Sequence, residues 1–206
     1  MTTVEQAPKP PQLQLIWPRA QRATPTLPRV PAGHTLRACN QADVDVQAYV
    51  ALLRRAGFET WDEARAQRVF ETLLPDGLFF IVQDATGSLV ATATAQVIPY
   101  ERHPAGAVLG WVAADPEHRG KGLGYIVCAA ATRRLLAENP STMYLLTDDL
   151  LLPAIHVYLK LGWIPFLYLP EMEARWRAIA AALGVPYESI ETTIDPAGGR
   201  HSLEEA

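Results

Sequence analysis

Cysteine is scarce in this chain: Cys39 and Cys128 are the only two, they lie far apart, and no cluster of histidines accompanies them. That excludes a disulfide framework, gives no zinc signature, and fits a reducing cytoplasm. Long apolar runs are missing as well. No stretch approaches the roughly 18 residues that a membrane span needs, and Pro8, Pro10 and Pro11 occupy the place where a secretion signal needs an apolar block. The expectation is a cytoplasmic protein with no membrane partner. Positive charge is not in excess either: the formal net charge is -4, which provides no broad basic field and argues against nucleic acid as a partner.

Proline, by contrast, is plentiful at the start. Pro18, Pro25, Pro28 and Pro31 follow the first cluster and oppose regular helix, so residues 1–33 read as an extended arm. Within the arm, Gln12 to Pro18 reads QLQLIWP, an alternation that would add an edge strand to this domain or, in a homodimer, to a second copy. The rest of the 206 residues, with 49% of the chain hydrophobic and 19% charged, suffices for one core. Residues 34–184 are the expected domain and 185–206 the C-terminal tail, loose after Asp195.

Periodicity fills in the domain. A short strand near Leu36 to Ala38 precedes two amphipathic helices, with Asn40 and Asp43, then Thr60 and Glu63, at capping-box spacing. Leu78 to Gln83 and Ser88 to Ile98 read as an antiparallel hairpin, and Ala107 to Ala114 as a further buried strand. A helix is expected from Gly120 until Asn139 and Pro140 stop it, followed by a strand at Met143 to Thr147. Pro153 opens a short helix that Gly162 ends, Trp163 to Leu169 is extended, and Met172, Trp176, Ile179 and Leu183 mark a last helix. The class is α+β.

Chemistry concentrates in Asp115 to Gly124, DPEHRGKGLG, where a strand runs through three glycines directly into a helix. The first N–H groups of a helix lack intrahelical partners and sit at its positive end, so a phosphate placed there gains hydrogen bonds and charge stabilisation. Gly120, Gly122 and Gly124 permit close approach, Arg119 offers a charge-assisted contact, and Lys121 screens a diphosphate. The spacing is neither that of a Walker loop nor that of a dinucleotide fingerprint.

These residues resemble the acetyl-CoA signature of the GNAT superfamily of N-acetyltransferases, which reads Arg or Gln, two residues, Gly, one residue, then Gly or Ala; Arg119, Gly122 and Gly124 match it. A later block, Ala154 to Trp163 (AIHVYLKLGW), resembles that superfamily's helical tyrosine motif through Tyr158, Lys160, Gly162 and Trp163. The resemblance implies a central mixed, mostly antiparallel sheet flanked by helices and splayed between the Ala107 to Ala114 and Met143 to Thr147 strands at the acetyl-CoA site. It places Val112 and Ala114 beside the pantetheine arm, and Gly120, Lys121, Gly122, Leu123 and Gly124 with Arg119 around the pyrophosphate. The position of the strand kink that the family carries is not readable from letters.

The activity so implied is acetyl-CoA-dependent acetylation of a primary amine by direct transfer in a ternary complex, without a metal and without a nucleophilic role for Cys39 or Cys128. Tyr158 is the general acid, since a thiol of pKa about 8.5 leaves and a phenol of about 10 supplies the proton. Glu101 and His103, on the loop before the binding strand, are candidate bases, as are Asp148 and Asp149 after the next strand. The superfamily often has Asn where this chain has Leu151. A small-molecule or peptide amine is the expected acceptor. A non-catalytic acetyl-CoA sensor and transfer of a larger acyl group are the alternatives.

Overall fold

The computed structural model describes residues 10–18 and 23–195. Eight strands form one sheet: β1 (Leu13–Ile16), β2 (His34–Cys39), β3 (Leu73–Gln83), β4 (Leu89–Val97), β5 (Gly106–Ala114), β6 (Thr142–Thr147), β7 (Ile164–Leu167) and β8 (Thr193–Ile194). Their order across the sheet is β2-β3-β4-β5-β6-β1-β7-β8. Only β5–β6 and β7–β8 run parallel; the other neighbours are antiparallel, as in the mixed sheet expected.

Helices α1 (Val46–Arg55) and α2 (Glu63–Phe70) cover one face, where Tyr49, Leu53, Trp61 and Phe70 pack on Leu78 and Phe80. Helices α3 (Leu123–Glu138), α4 (Leu152–Leu161) and α5 (Met172–Leu183) cover the other, and there Val127, Ile155, Trp163 and Trp176 join one continuous core. α3 is buried almost all round because the arm passes over its outer side, with Arg133 Nη1 donating to the Pro25 carbonyl at 3.0 Å and Val30 packed on the core.

Several boundaries move for identifiable reasons. Asn40 caps only a short 3-10 turn (Gln41–Asp43), and its amide exchanges hydrogen bonds with Asp76 instead; the side chain of Asp45 accepts from Ala48 N and starts α1. In the same way Asp62, accepting from Arg65 N at 2.7 Å, starts α2, while Thr60 accepts from the Arg65 guanidinium. A carboxylate closer to the first turn captures the orphan amides in both places. β3 begins earlier than expected because Leu73 pairs with Gln96 ahead of a bulge that precedes Leu78.

The largest correction concerns the arm. Its alternating segment is not an edge strand: β1 lies in the interior of the sheet, antiparallel to both β6 and β7. Leu13 and Leu15 are fully buried, and so is the amide of Gln14 on the opposite face, at 2% exposure. A strand with neighbours on both sides satisfies all of its backbone groups, whereas an edge leaves half of them to water. At the other end of the chain, β8 adds residues of the C-terminal tail to the same sheet.

Candidate active site

β5 and β6 pair only through Gly106–Thr142, Ala107–Met143 and Val108–Tyr144. Beyond Val108, β5 continues for six residues to Ala114 while β6 pairs on its other side with β1, so the two parallel strands part. The gap exposes backbone N–H and C=O groups on the β6 side of β5, an arrangement that needs a ligand or water to satisfy it.

The kink that the letters hid is at Trp111 and Val112. Thr92 faces Ala113 but Thr94 faces Gly110, so two β5 residues oppose Ala93 alone. Trp111 takes φ of 46°, left-handed backbone for a large side chain, which costs on the order of 1–2 kcal/mol. Its ring is held against Trp61 at 4.5 Å and Phe58 at 6.0 Å. The bulge also inverts the side-chain alternation. Ala113 joins the α1–α2 face, whereas Val112 and Ala114 turn to the α3–α4 face.

At the end of β5, Asp115 caps a 3-10 turn (Pro116–His118) and pairs with Arg55 at 2.8 Å. Burial alone would raise this carboxyl, but the Glu117 amide and Arg55 outweigh it and hold the pKa below the ordinary range. Arg119 follows, exposed, and its side chain has no partner among the described residues. Gly120 (φ 78°) and Gly122 (φ 73°) are left-handed, and Gly122 is the N-cap of α3, so the helix starts at Leu123 and not at Gly120. Gly124 is different. Its backbone is helical and a Cβ there would meet nothing within 4 Å, so nothing in the chain itself calls for a glycine. A phosphate seated on the first amides of α3 would supply the reason, and the residues present fit that group. Lys121 and His34 both approach His118 Nδ1, at 3.2 and 3.4 Å, so His118 is half-buried beside the loop.

Tyr158 points into the core between α3 and α4, 6% exposed. Burial, and then the neighbouring Cys128, push its pKa well above the usual phenol value, so it stays a proton donor. Its hydroxyl makes no hydrogen bond with any described residue. Cys128 and Cys39 are both raised, chiefly by burial, and hold their protons. Lys160 lies over the Tyr125 ring, and His156 is exposed.

The base candidates separate. Glu101 is exposed on a turn, and Asp149 is tied to Arg175. Asp148 accepts from Gln12 Nε2 at 3.4 Å. His103 instead lies flat on Tyr144, with ring centroids 4.7 Å apart, and is 4% exposed. Tyr144 is the β6 residue opposite Val108, at the last rung before the splay. Trp61 is core, 1% exposed, and Phe58 is half-buried. Leu150 and Leu151 stand exposed where β6 turns into α4.

Two features escaped the sequence reading. Nothing in the letters marks a tryptophan for left-handed backbone, and the alternation of QLQLIWP does not show that Gln14 is buried. Among the described residues no three His, Cys, Asp or Glu side chains group as a metal site, and no helix is long and apolar enough to cross a membrane.

Comparison with known proteins agrees with this geometry. A GCN5-related N-acetyltransferase from Sphaerobacter thermophilus superposes with a TM-score of 0.60 at 16% identity, over 76% of this chain and 49% of that one. A tandem GNAT protein from the clavulanic acid biosynthesis pathway gives 0.61 at 22% identity, over 77% and 51%. The ribosomal-protein-S18-alanine N-acetyltransferase of Escherichia coli gives 0.50 at 25% identity, over 63% and 76%. The chain thus spans about half the length of the first two structures. No curated protein sequence matches it. The acetyltransferase (GNAT) family profile matches residues 46–163, from the start of α1 through the helical tyrosine motif. With more than half the chain matched and a splayed, bulged sheet leading into a glycine loop, this protein belongs to the GNAT acetyltransferase family.

Proposed function

We propose that the chain transfers an acetyl group from acetyl-CoA to a primary amine by direct attack in a ternary complex. One observation carries this: the open edge of β5, its bulge and the glycine-rich entry of α3 lie consecutively between Val108 and Gly124, which supports a single path from reaction centre to phosphate site. In this reading Arg119 and the amides of Gly120, Lys121, Gly122, Leu123 and Gly124 bind the pyrophosphate. The unpaired backbone of β5 at Val112 and Ala114 hydrogen-bonds the pantetheine amides and steadies the oxyanion.

His103 accepts the proton of the attacking amine on the α1–α2 face. Tyr158 gives its proton to the sulfur as the C–S bond breaks and the C–N bond forms. Burial keeps both groups in the states this requires, an imidazole that is neutral at pH 7 and a phenol that is undissociated. Fold neighbours include a ribosomal-protein-S18-alanine N-acetyltransferase and a tandem GNAT protein from the clavulanic acid biosynthesis pathway, so the acceptor is assigned here only as an amine, small or peptidic.

Calorimetric titration with acetyl-CoA tests the reading, followed by assay of free CoA release with a panel of amines. Binding with amine-dependent release is expected. Binding without release from any amine would make the protein a sensor, and no binding at high concentration would end the proposal.

A further inference from the structure

His103 does not stand alone on this face; a directed hydrogen bond ties it to the N-terminal strand. Its Nε2 lies 3.0 Å from Gln14 Oε1. On the same side the Tyr168 hydroxyl donates to the Gln12 carbonyl at 2.6 Å and helps to hold the strand. The Gln14 carbonyl oxygen is the atom facing His103, and because it can only accept, Nε2 must carry the ring proton. Nδ1 is left with a lone pair and no partner among the described residues. It is not one of the sealed, unsatisfied polar atoms of the interior either.

The ring is held in place from other sides too. It stacks on Tyr144, Tyr100 lies nearly parallel to it, and Phe166 flanks it at 5.4 Å. A Cβ on Gly106 would come within 2.9 Å of both His103 Cβ and Tyr144 Cδ1, so the absence of a side chain there lets the loop lie down on the sheet. Cross-strand pairing puts Tyr144 on the same face as Val108, Gln96, Thr94 and Gly110, which the α1–α2 layer adjoins.

We propose that Gln14, carried into the middle of the sheet by β1, is a positioning residue that fixes His103 as the Nε2–H tautomer and leaves Nδ1 as the proton acceptor for the amine. The N-terminal arm is on this account part of the catalytic apparatus. The catalytic half of the inference rests on the acetyl-transfer reading above; the tautomer half does not. The charged groups around the ring are Arg102 and Asp195, which pair with each other at 2.7 Å, and Glu101 on the same turn; Tyr100, Tyr144 and Tyr168 are the neighbouring phenols. Burial lowers the imidazole pKa, Asp195 opposes that and Arg102 adds to it.

The test uses the full chain labelled with 15N, with long-range proton–nitrogen spectra reading the His103 tautomer and its titration. The Nε2–H form is expected, titrating below the ordinary histidine value. Gln14→Glu keeps an acceptor in place but adds a negative charge, so the tautomer persists and the pKa rises by about one unit or more. Gln14→Leu removes the acceptor, and the Nδ1–H form appears. An Nδ1–H tautomer in the parent, or an unchanged titration in Gln14→Glu, overturns the proposal.

With acetyl-CoA and an amine, the acid limb of kcat/KM moves up in Gln14→Glu together with the spectroscopic pKa. In Gln14→Leu, kcat falls roughly tenfold, a part of the roughly 10²–10⁴-fold that a positioned acid or base contributes, while KM for acetyl-CoA is unchanged. His103→Ala turning over at the parent's rate overturns this proposal and leaves acetyl transfer standing. A parent that binds no acetyl-CoA overturns the acetyl-transfer reading and the catalytic half together, and the tautomer spectra still decide the rest.

Discussion

Replacing Gly124 should separate stability from ligand affinity. The residue lies in the first turn of α3 with ordinary helical backbone, and an added Cβ meets nothing within 4 Å. Gly→Ala at such a position restricts the unfolded chain without straining the folded one, a gain of about 0.4–1 kcal/mol. For a domain of this size that raises the melting temperature by about 1–4 °C. The signature this loop resembles accepts glycine or alanine here, so the single methyl should leave acetyl-CoA affinity within a few fold. The branched side chain of Gly124→Val stands where phosphate oxygens are proposed to approach the first amides of the helix, and forcing extra methyl groups into a close contact costs about 1–3 kcal/mol, so affinity should fall roughly 5- to 150-fold. Thermal denaturation without ligand and calorimetric titration with acetyl-CoA read the two effects separately. Unchanged affinity in a folded Gly124→Val variant would mean that no ligand approaches Gly124, and the phosphate site would fail with it.

Tyr158→Phe should lower turnover by about a hundredfold, as expected for loss of a positioned acid, with acetyl-CoA affinity held within a few fold; turnover at the parent's rate would remove Tyr158 from the mechanism. Asp115→Asn keeps an oxygen to cap the Glu117 amide but loses the ion pair with Arg55, whose side chain is 45% exposed, so the cost at pH 7 should stay under about 1 kcal/mol. The folded pKa of Asp115 is depressed, so this contribution is present at neutral pH and is lost as pH falls from about 3.9 through the lower folded value. Denaturant titrations of parent and variant should therefore converge in acid, and a gap that widens instead would contradict the pairing. Leu15→Ala, at a fully buried position in β1, should cost about 2–5 kcal/mol in the same titrations; a cost near zero would return the strand to an edge or to the outside of the sheet.

What was legible in the sequence was whatever leaves a periodic or conformational signature. Met172, Trp176 and Ile179 at helical spacing are the buried face of α5. Gly162 and Gly184 stop their helices in left-handed backbone, which only glycine adopts cheaply. The placement of β1 was not legible, because alternation marks a strand but not its neighbours. QLQLI reads identically at an edge, with the glutamines in water, and in the interior, with Gln14 bonded to His103. Only the long-range pairing with β6 and β7 distinguishes these, and that pairing is decided by gaps the rest of the sheet leaves open.

The site divides along the same line. Its proposed phosphate end is written in local sequence, since glycines at 120 and 122 are needed for the turn and a small residue at 124 for the approach. Its proposed reacting end is assembled from residues distant along the chain. The bulge at Trp111 is the joint between them: by inserting one residue it sends Val112 and Ala114 to the α3–α4 face and keeps Gly110 and Val108 on the α1–α2 face. An unbulged β5 would reverse one half of that assignment. The left-handed tryptophan is tolerated because the connection between α1 and α2 presents Phe58 and Trp61 to its ring. The α1–α2 layer thereby also supports the strand against which the cofactor is proposed to bind. A substitution at Trp61 should accordingly weaken acetyl-CoA binding although that side chain lies in the core of the opposite face, and an unchanged affinity in a folded Trp61→Leu variant would show that the bulge is stable without its aromatic support.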